Sequence, residues 1–334
     1  MMREFEIERQ FDLKIEKIKP SKGIYFLKTN KGEMCLKKVS YGVQKLIFIY
    51  GAKEHLIKNG FDNIDRFYLN VENNPYAIVN EDIYTLSQWI EGRECDFMNI
   101  DEVVKASNTL ANLHIASRGY EPPEHSKLKS DLERWPSVMS KRIKSFDKMR
   151  DMVRKKGIKN DVDMIYLKNY EFYKNLAKEA YALFEVSKYY DICKIAEEEK
   201  SFCHHDYTHH NIVIDNDEKF NVVDFDYCKR EIRSYDVANF ITKVLKKNNW
   251  DIEICKNIIE SYDKVSKLSD DEIFLIYGFL MFPQRFWRLS NRYFYNDMLI
   301  RQNVFMNHFE KILNEKDEYM EFLTKFKNEY SIKI

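Results

Sequence analysis

The segment from Ser201 to Asp226 concentrates the residues whose types could do chemistry: His204-His205-Asp206, then Asn211, then Asp224. Between Asn211 and Asp224 lie an apolar run, Ile212-Val213-Ile214, a turn-forming stretch, Asp215-Asn216-Asp217-Glu218-Lys219, and a second run, Phe220-Asn221-Val222-Val223. Two such runs joined by turn residues predict a β-hairpin, which brings its two ends together. Asn211 and Asp224 are therefore expected side by side, with Asp206 on the loop just before them. That set suits phosphoryl transfer. One carboxylate accepts or orients the proton of an attacking hydroxyl, a carboxylate and an amide oxygen hold Mg²⁺ on nucleotide phosphates, and a lysine neutralises charge on the same phosphates. Magnesium favours hard oxygen ligands of this kind, completed by phosphate and water.

The spacing Asp-x4-Asn, followed by a later Asp on the next strand, matches the catalytic loop of kinases. Two other readings stand beside it. Four of the eight histidines fall between positions 204 and 210, and imidazole suits zinc or iron. A plain polar loop beside a hairpin needs no chemistry at all. Lys37 is the candidate phosphate lysine because it ends a predicted strand, whereas Lys38 would point to the other face. Asp236, in Ser234-Tyr235-Asp236-Val237-Ala238, precedes a helix and suits its N-cap.

These residues need elements to hold them. Gly23–Thr29 and Met34–Lys37 read as paired strands around the turn Asn30-Lys31-Gly32-Glu33, and residues 42–59 have helical spacing ended by Asn59-Gly60. Further strands are expected at Arg66–Val71 and Tyr76–Val79, with Ile83–Ile90 leading into Glu91-Gly92-Arg93. From Asp96 the pattern turns helical, with Val103, Leu110, Leu113 and His114 on one face. Residues 137–200 predict two long helices, and residues 237–330 more. Within the first of these, positions 141–160 hold nine Lys or Arg against two Asp. Such a run is a solvated helix face or a surface for an anionic partner.

With 334 residues, 44% of them hydrophobic, the chain can bury a sizeable core. Its formal net charge is zero, so no global field draws it to nucleic acid or a membrane surface. No run of 18 apolar residues predicts a membrane span. The charged N-terminal segment does not read as a secretory signal. The six cysteines are scattered without a CxxC, which suggests neither a zinc site nor a disulfide framework and suits a reducing cytoplasm.

The His-x-Asp-x4-Asn loop, the Asp224 hairpin, the Asp236-Val237-Ala238 segment and the Leu113-His114 pair together resemble the aminoglycoside phosphotransferase and choline kinase superfamily. The similarity covers roughly residues 20–300. Within that superfamily the chain resembles the spore-coat family usually called CotS, of endospore-forming bacteria. The residues that suggest it are Gly23–Gly32, Glu54-His55-Leu56 with Asn59-Gly60-Phe61, Trp89–Glu94, and above all Pro283-Gln284-Arg285-Phe286-Trp287-Arg288, which catalysis would not demand.

The resemblance implies an α+β, bilobal, protein-kinase-like fold with a small antiparallel-sheet N-lobe and a larger, mostly helical C-lobe. Residues 1–88 would be the nucleotide-binding lobe, and residues 89–334 would carry the catalytic loop and metal-binding hairpin. It implies ATP and Mg²⁺ as cofactors, with Asp206 as catalytic base and Asn211 and Asp224 as metal ligands. Lys37 and Gly23 would meet the phosphates, and the hinge at Gln88 and Ile90 would meet adenine through its backbone. The acceptor would be a small-molecule hydroxyl compound, and spore coat proteins the partners of a cytoplasmic protein assembled into the coat. The alternative is a catalytically degenerate member serving coat assembly. A protein kinase is disfavoured by the lack of a segment like the APE signature. His205 and His210 stand where the superfamily places glycines, and Phe48 or Ile49 stands where it places the helix glutamate that pairs with the lysine.

Overall fold

The hairpin expected at residues 23–37 is present in the computed structural model, which describes residues 4–21, 23–296 and 302–333. Its strands are β2 (Ile24–Thr29) and β3 (Gly32–Val39), paired from Ile24↔Lys37 to Thr29↔Gly32 around the two-residue turn Asn30-Lys31. Gly32 closes that turn at φ +112°, a conformation that a side chain would strain. Before them run α1 (Glu4–Phe11) and β1 (Ile15–Ser21), and after them α2 (Val43–Lys58), β4 (Ala77–Val79) and β5 (Asp82–Gln88). The five strands form an antiparallel sheet in the order β1-β2-β3-β5-β4.

The pleat sorts side chains onto two faces. Met34, Leu36, Tyr84 and Leu86 turn to one face and pack with Ile7 and Phe11 of α1. Cys35, Lys37, Thr85 and Ser87 therefore share the opposite face. The strand β1, Ile-Glu-Lys-Ile-Lys-Pro-Ser, carries charge and a proline that suit an edge. It has no apolar alternation for sequence reading to find. The stretch Arg66–Val71 is not a regular strand. It lies along β5 through a bridge at Phe67↔Ser87 and bonds from Tyr68 N to Leu86 O and Gln88 N to Arg66 O, then turns away around the Asn70 side chain.

A second sheet, β6 (Gly92–Glu94), β7 (Ile212–Asp215) and β8 (Phe220–Val222), holds the predicted catalytic hairpin. The turn after β7 closes on Asp215 Oδ1, which accepts from the amides of Asp217 and Lys219. The strand β6 was not legible because it is three residues long. Gly92 is required there: a Cβ would lie 2.2 Å from the Ile214 carbonyl oxygen. Helix α3 (Ile100–Ala116), capped by Asn99, buries Val103, Leu110, Leu113 and His114 along the expected face.

By packing, the chain divides into two units, residues 1–130 with 196–231, and residues 131–195 with 232–334. The elements above belong to the first. Residues 137–200 hold three helices and not two: α4 (Trp135–Lys155), α5 (Asp161–Val186) and α6 (Tyr189–Glu198). Ser187, extended at φ −82° and ψ 168°, makes the break that the continuous apolar pattern hid. The second unit continues with α7 (Arg233–Leu245), α8 (Ile252–Val265), α9 (Asp270–Met281), α10 (Gln284–Asn291), α11 (Gln302–Asn314) and α12 (Lys316–Glu329). Residues 297–301 of the helical stretch expected at 237–330 lie outside the described residues. Asp236 is not the cap of α7 but a buried residue in its first turn, after Ile232 in the cap position.

Phe286 anchors the second unit. Its ring stacks on Tyr173 at 4.0 Å between centroids and meets Phe146, Tyr166 and Phe309. Of the run Pro283–Arg288, only Phe286 and Pro283 are fully buried, while Trp287 is partly exposed. Phe286→Ala is expected to cost about 3–5 kcal/mol, as large-to-small changes of buried aromatics do. Urea denaturation followed by far-UV circular dichroism reads this as a lower midpoint.

Candidate active site

Two hydrogen bonds lock the loop to the hairpin. Val223 N donates to the Asn211 carbonyl at 3.0 Å, and His204 Nε2 lies 3.0 Å from the Val223 carbonyl. His204 Nδ1 accepts from the Asp206 amide at 3.3 Å, so this fully buried imidazole ties Asp206 to the strand that ends at Asp224. Asn211 donates Nδ2 to the Asp206 carbonyl at 3.0 Å. Its Oδ1 has no partner among the described residues and remains an acceptor. The expected adjacency of Asp206, Asn211 and Asp224 is thus built by backbone pairing.

Lys37 meets this cluster. Its Nζ lies 2.8 Å from Asp224 Oδ1 and 2.9 Å from Asp226 Oδ2, although 187 residues separate Lys37 from Asp224. Tyr41 donates its hydroxyl to Asp226 Oδ1 at 2.7 Å. Lys38, on the other face of β3, pairs instead with Asp82 at 2.6 Å. Burial works to raise the Asp224 carboxyl, but the Lys37 ammonium outweighs it and holds the group below the usual carboxylate range. Burial likewise opposes the charge on Lys37, and Asp226 and Asp224 together push its pKa above the ordinary lysine value.

A cavity of about 500 Å³ opens here, lined by Lys37, Asn211, Asp224 and Asp226 together with Thr85 and Ser87 of β5. Asp206 sits beside it, half-buried, but does not line it; nor do Gly23, Gln88 and Ile90. Gly23 precedes Ile24, which does line it, and takes φ +88° in open space. The amides of Gln88 and Trp89 are already committed, to the carbonyls of Arg66 and Glu33. The loop histidines do not gather for a metal: no group of three close ligands among the described residues holds two of His204, His205, His209 and His210.

The substituted glycine positions behave differently. His205 takes φ +70°, a left-handed conformation that glycine adopts freely and histidine less so. His210 lies in a short 3₁₀ turn with no positive φ. At the glutamate position on α2, buried Ile49 lines the cavity. Glu54 is taken by Arg66, with contacts of 2.7 and 3.1 Å.

Sequence reading missed a second lysine. One helical turn after Ile49, Lys53 points to the same cavity, 2% exposed, with its Nζ 2.8 Å from Asp65 Oδ1 and 4.1 Å from the Phe67 ring centroid. The i, i+4 spacing from Ile49 carries the signal for Lys53. Nothing local marks Asp65. Asp226 was visible in Asp-Phe-Asp, and the 3₁₀ turn Phe225–Tyr227 brings it back toward Asp224.

A sequence model of the family described as spore coat putative kinase YutH matches residues 4–326. The chain belongs to that family. It is also similar to spore coat protein S of Bacillus subtilis, 22% identical over 278 residues, which covers 83% of this chain and 78% of that protein. Among solved structures, an aminoglycoside phosphotransferase from Alicyclobacillus acidocaldarius superposes with a TM-score of 0.84 at 20% identity, over 99% of this chain and 97% of that one. A spectinomycin phosphotransferase bound to AMP superposes with a TM-score of 0.69 at 14% identity, over 95% and 96% of the two chains. The chain thus has the α+β protein-kinase-like fold expected from the resemblance of its loop, with an antiparallel sheet in its N-terminal part and helices in the remainder.

The Lys53–Asp65 pair is buried, and removing one partner of such a pair typically costs about 3–5 kcal/mol. Lys53→Met is expected to fall in that range, with Lys53→Met/Asp65→Leu recovering most of the loss. A double-mutant cycle in urea checks the coupling. The Lys37–Asp224 pair predicts a pH signature. The lowered Asp224 contributes stability above about pH 4 that is lost as pH falls through its folded value. The raised Lys37 contributes below about pH 10 and is lost as pH rises through its folded value. The difference in melting temperature between the parent and Lys37→Met is therefore expected to hold across neutral pH and shrink toward both limits. A difference that stays constant down to acid pH would show that the pair contributes nothing.

Proposed function

We propose that this spore coat kinase family member transfers a phosphoryl group from Mg-ATP to the hydroxyl of a small molecule and acts in association with the spore coat. The reading rests most on one observation: the Lys37 ammonium lies within 2.9 Å of both Asp224 and Asp226 in a cavity that Asn211 also lines. Residues 1–88 serve in this reading as the nucleotide lobe, and residues 89–334 carry the catalytic loop and hairpin.

The donors fit a magnesium ion. Asn211 Oδ1 is an uncommitted amide oxygen and Asp224 a carboxylate, both hard ligands, so these two would hold the metal. Bound there with nucleotide, it would neutralise charge on the transferring phosphate. The Lys37 ammonium shares that task from the strand side, and Tyr41 and Asp226 fix its position. Asp206, oriented through its backbone by His204 and Asn211, accepts the hydroxyl proton. Gly23, just ahead of Ile24, would let the chain approach the phosphates, and Gln88 and Ile90 would meet the base from beside the lining residues, with the Gln88 amide already given to Arg66. The small-molecule phosphotransferases of like fold support this assignment. Spore coat proteins are the partners to which the family description points.

A second reading has its own observations. Ile49 replaces the helix glutamate, and two carboxylates already hold Lys37. Both would suit a kinase-fold protein that serves coat assembly without transfer.

Millimolar Mg-ATP is expected to raise the melting temperature by a few degrees, as a ligand of the native state must. Asp224→Asn should abolish the magnesium-dependent part. Asp206→Asn should keep the shift but lose ATP consumption in a screen against alcohols, amines and sugars. Unchanged melting in Mg-ATP sinks the transfer reading and leaves the assembly reading.

A further inference from the structure

Two features that catalysis does not absorb meet at one place in the second unit. The basic run 141–160 has a member turned inward, Arg142, and the run Pro283–Arg288 supplies several walls of the same cavity. The cavity measures about 190 Å³. A cavity of about 150 Å³ lined by apolar side chains holds a benzene ring, so this one takes a ring and a small substituent.

Its walls are aromatic and its charges one-sided. Trp135, Tyr235, Phe279 and Phe282 are among its aromatic lining residues. Five cations also line it, Arg142, Lys243, Lys246, Arg285 and Arg288, against one carboxylate, Glu315, which pairs with Arg285. Arg142 has no carboxylate partner among the described residues. Its guanidinium donates to Gln284 Oε1 at 2.6 Å and lies 4.4 Å from the Trp287 ring centroid. Burial, aided by Arg288, pushes its pKa down to about 10. Burial also lowers Lys246, with Arg285 and Lys243 adding to the effect. Two buried donors on the lining residues, the Tyr173 hydroxyl and the Trp250 indole nitrogen, lack hydrogen-bond partners among the described residues. Buried donors without acceptors are costly and uncommon in native proteins. Aromatic walls alone would suit a quaternary ammonium ion, but this charge repels one.

We propose that this cavity binds a small organic anion, with an apolar planar body against the rings and a carboxylate or phosphate head on Arg142 and Lys246. The proposal does not rest on the reading of the Lys37 cavity, and either can fail alone. Phenyl phosphate and benzoate are the probes, with inorganic phosphate and benzylammonium as controls. Binding to the full chain is read by calorimetry and by the fluorescence of Trp135 and Trp250. Phenyl phosphate and benzoate should bind saturably, roughly tenfold or more tighter than either control, the buried ring deciding against inorganic phosphate and the charge-assisted hydrogen bonds of the head against benzylammonium. Arg142→Met should weaken them by a similar factor, and Lys246→Met does the same test where Arg142→Met fails to fold. Lys37→Met should leave them unchanged, which separates this site from the Lys37 cavity. The proposal is overturned if phenyl phosphate does not saturate at millimolar concentration. It is equally overturned if either control binds as tightly, if Lys37→Met abolishes binding, or if every cavity variant that folds binds like the parent.

Discussion

The contact between Lys37 Nζ and the two carboxylates of Asp224 and Asp226 is the interaction on which the first unit's site depends. It joins β3 of the five-stranded sheet to the end of the β7–β8 hairpin. A half-buried lysine with one carboxylate would leave the balance of burial and attraction close. Two carboxylates shift it, and the directions of the pKa changes agree: the acid is held lower and the base higher than in water. The Tyr41 hydroxyl takes the other oxygen of Asp226, so that carboxylate is fixed on both sides. Every other element of the site can be described by how it supports this junction.

Much of that junction was legible because short-range rules produce it. Hairpin chemistry put Asn211 beside Asp224, and the period of two put Lys37 and not Lys38 on the cavity side of β3. The resemblance of the loop named the fold. Other parts were illegible for identifiable reasons. The strand β1 is an edge strand rich in lysine, so it lacks the alternation that marks a strand with one buried face. The strand β6 is three residues long and exists because Gly92 lets the backbone approach Ile214. Asp65 reaches Lys53 from an irregular stretch with no period. The break at Ser187 is made by backbone conformation in a stretch whose apolar spacing continues through it.

The two substitutions most unfavourable to a kinase on paper have separate physical outcomes. At His205 the backbone takes a left-handed conformation despite the side chain, at some local strain. At the helix position where the resemblance sets a glutamate, Phe48 or Ile49, the change is chemical, since the member that lines the cavity, Ile49, offers an alkyl group. The structure answers it from another direction. Asp226 supplies the second negative charge to Lys37 from the hairpin, and α2 contributes a buried cation, Lys53, with Asp65 as counter-ion. The helix is therefore anchored through a lysine and not a glutamate, and its charge relation to the cavity is inverted.

That inversion bears on what the cavity can hold. Lys37 and Lys53 line it from the sheet and the helix, and four carboxylates line it as well, Asp65, Glu94, Asp224 and Asp226, the last two at the end of the hairpin beside Lys37. A divalent cation at Asp224 and Asn211 would compete with the Lys37 ammonium for the same carboxylate. Asp226 would keep its hold on the ammonium, and phosphate oxygens would give it a further anionic partner in place of Asp224. In the phosphotransfer reading, metal and phosphate would therefore favour each other's binding at this junction. A net charge of zero over the whole chain conceals this arrangement, since what selects the ligand is the separation of charge across a few ångströms and not its sum.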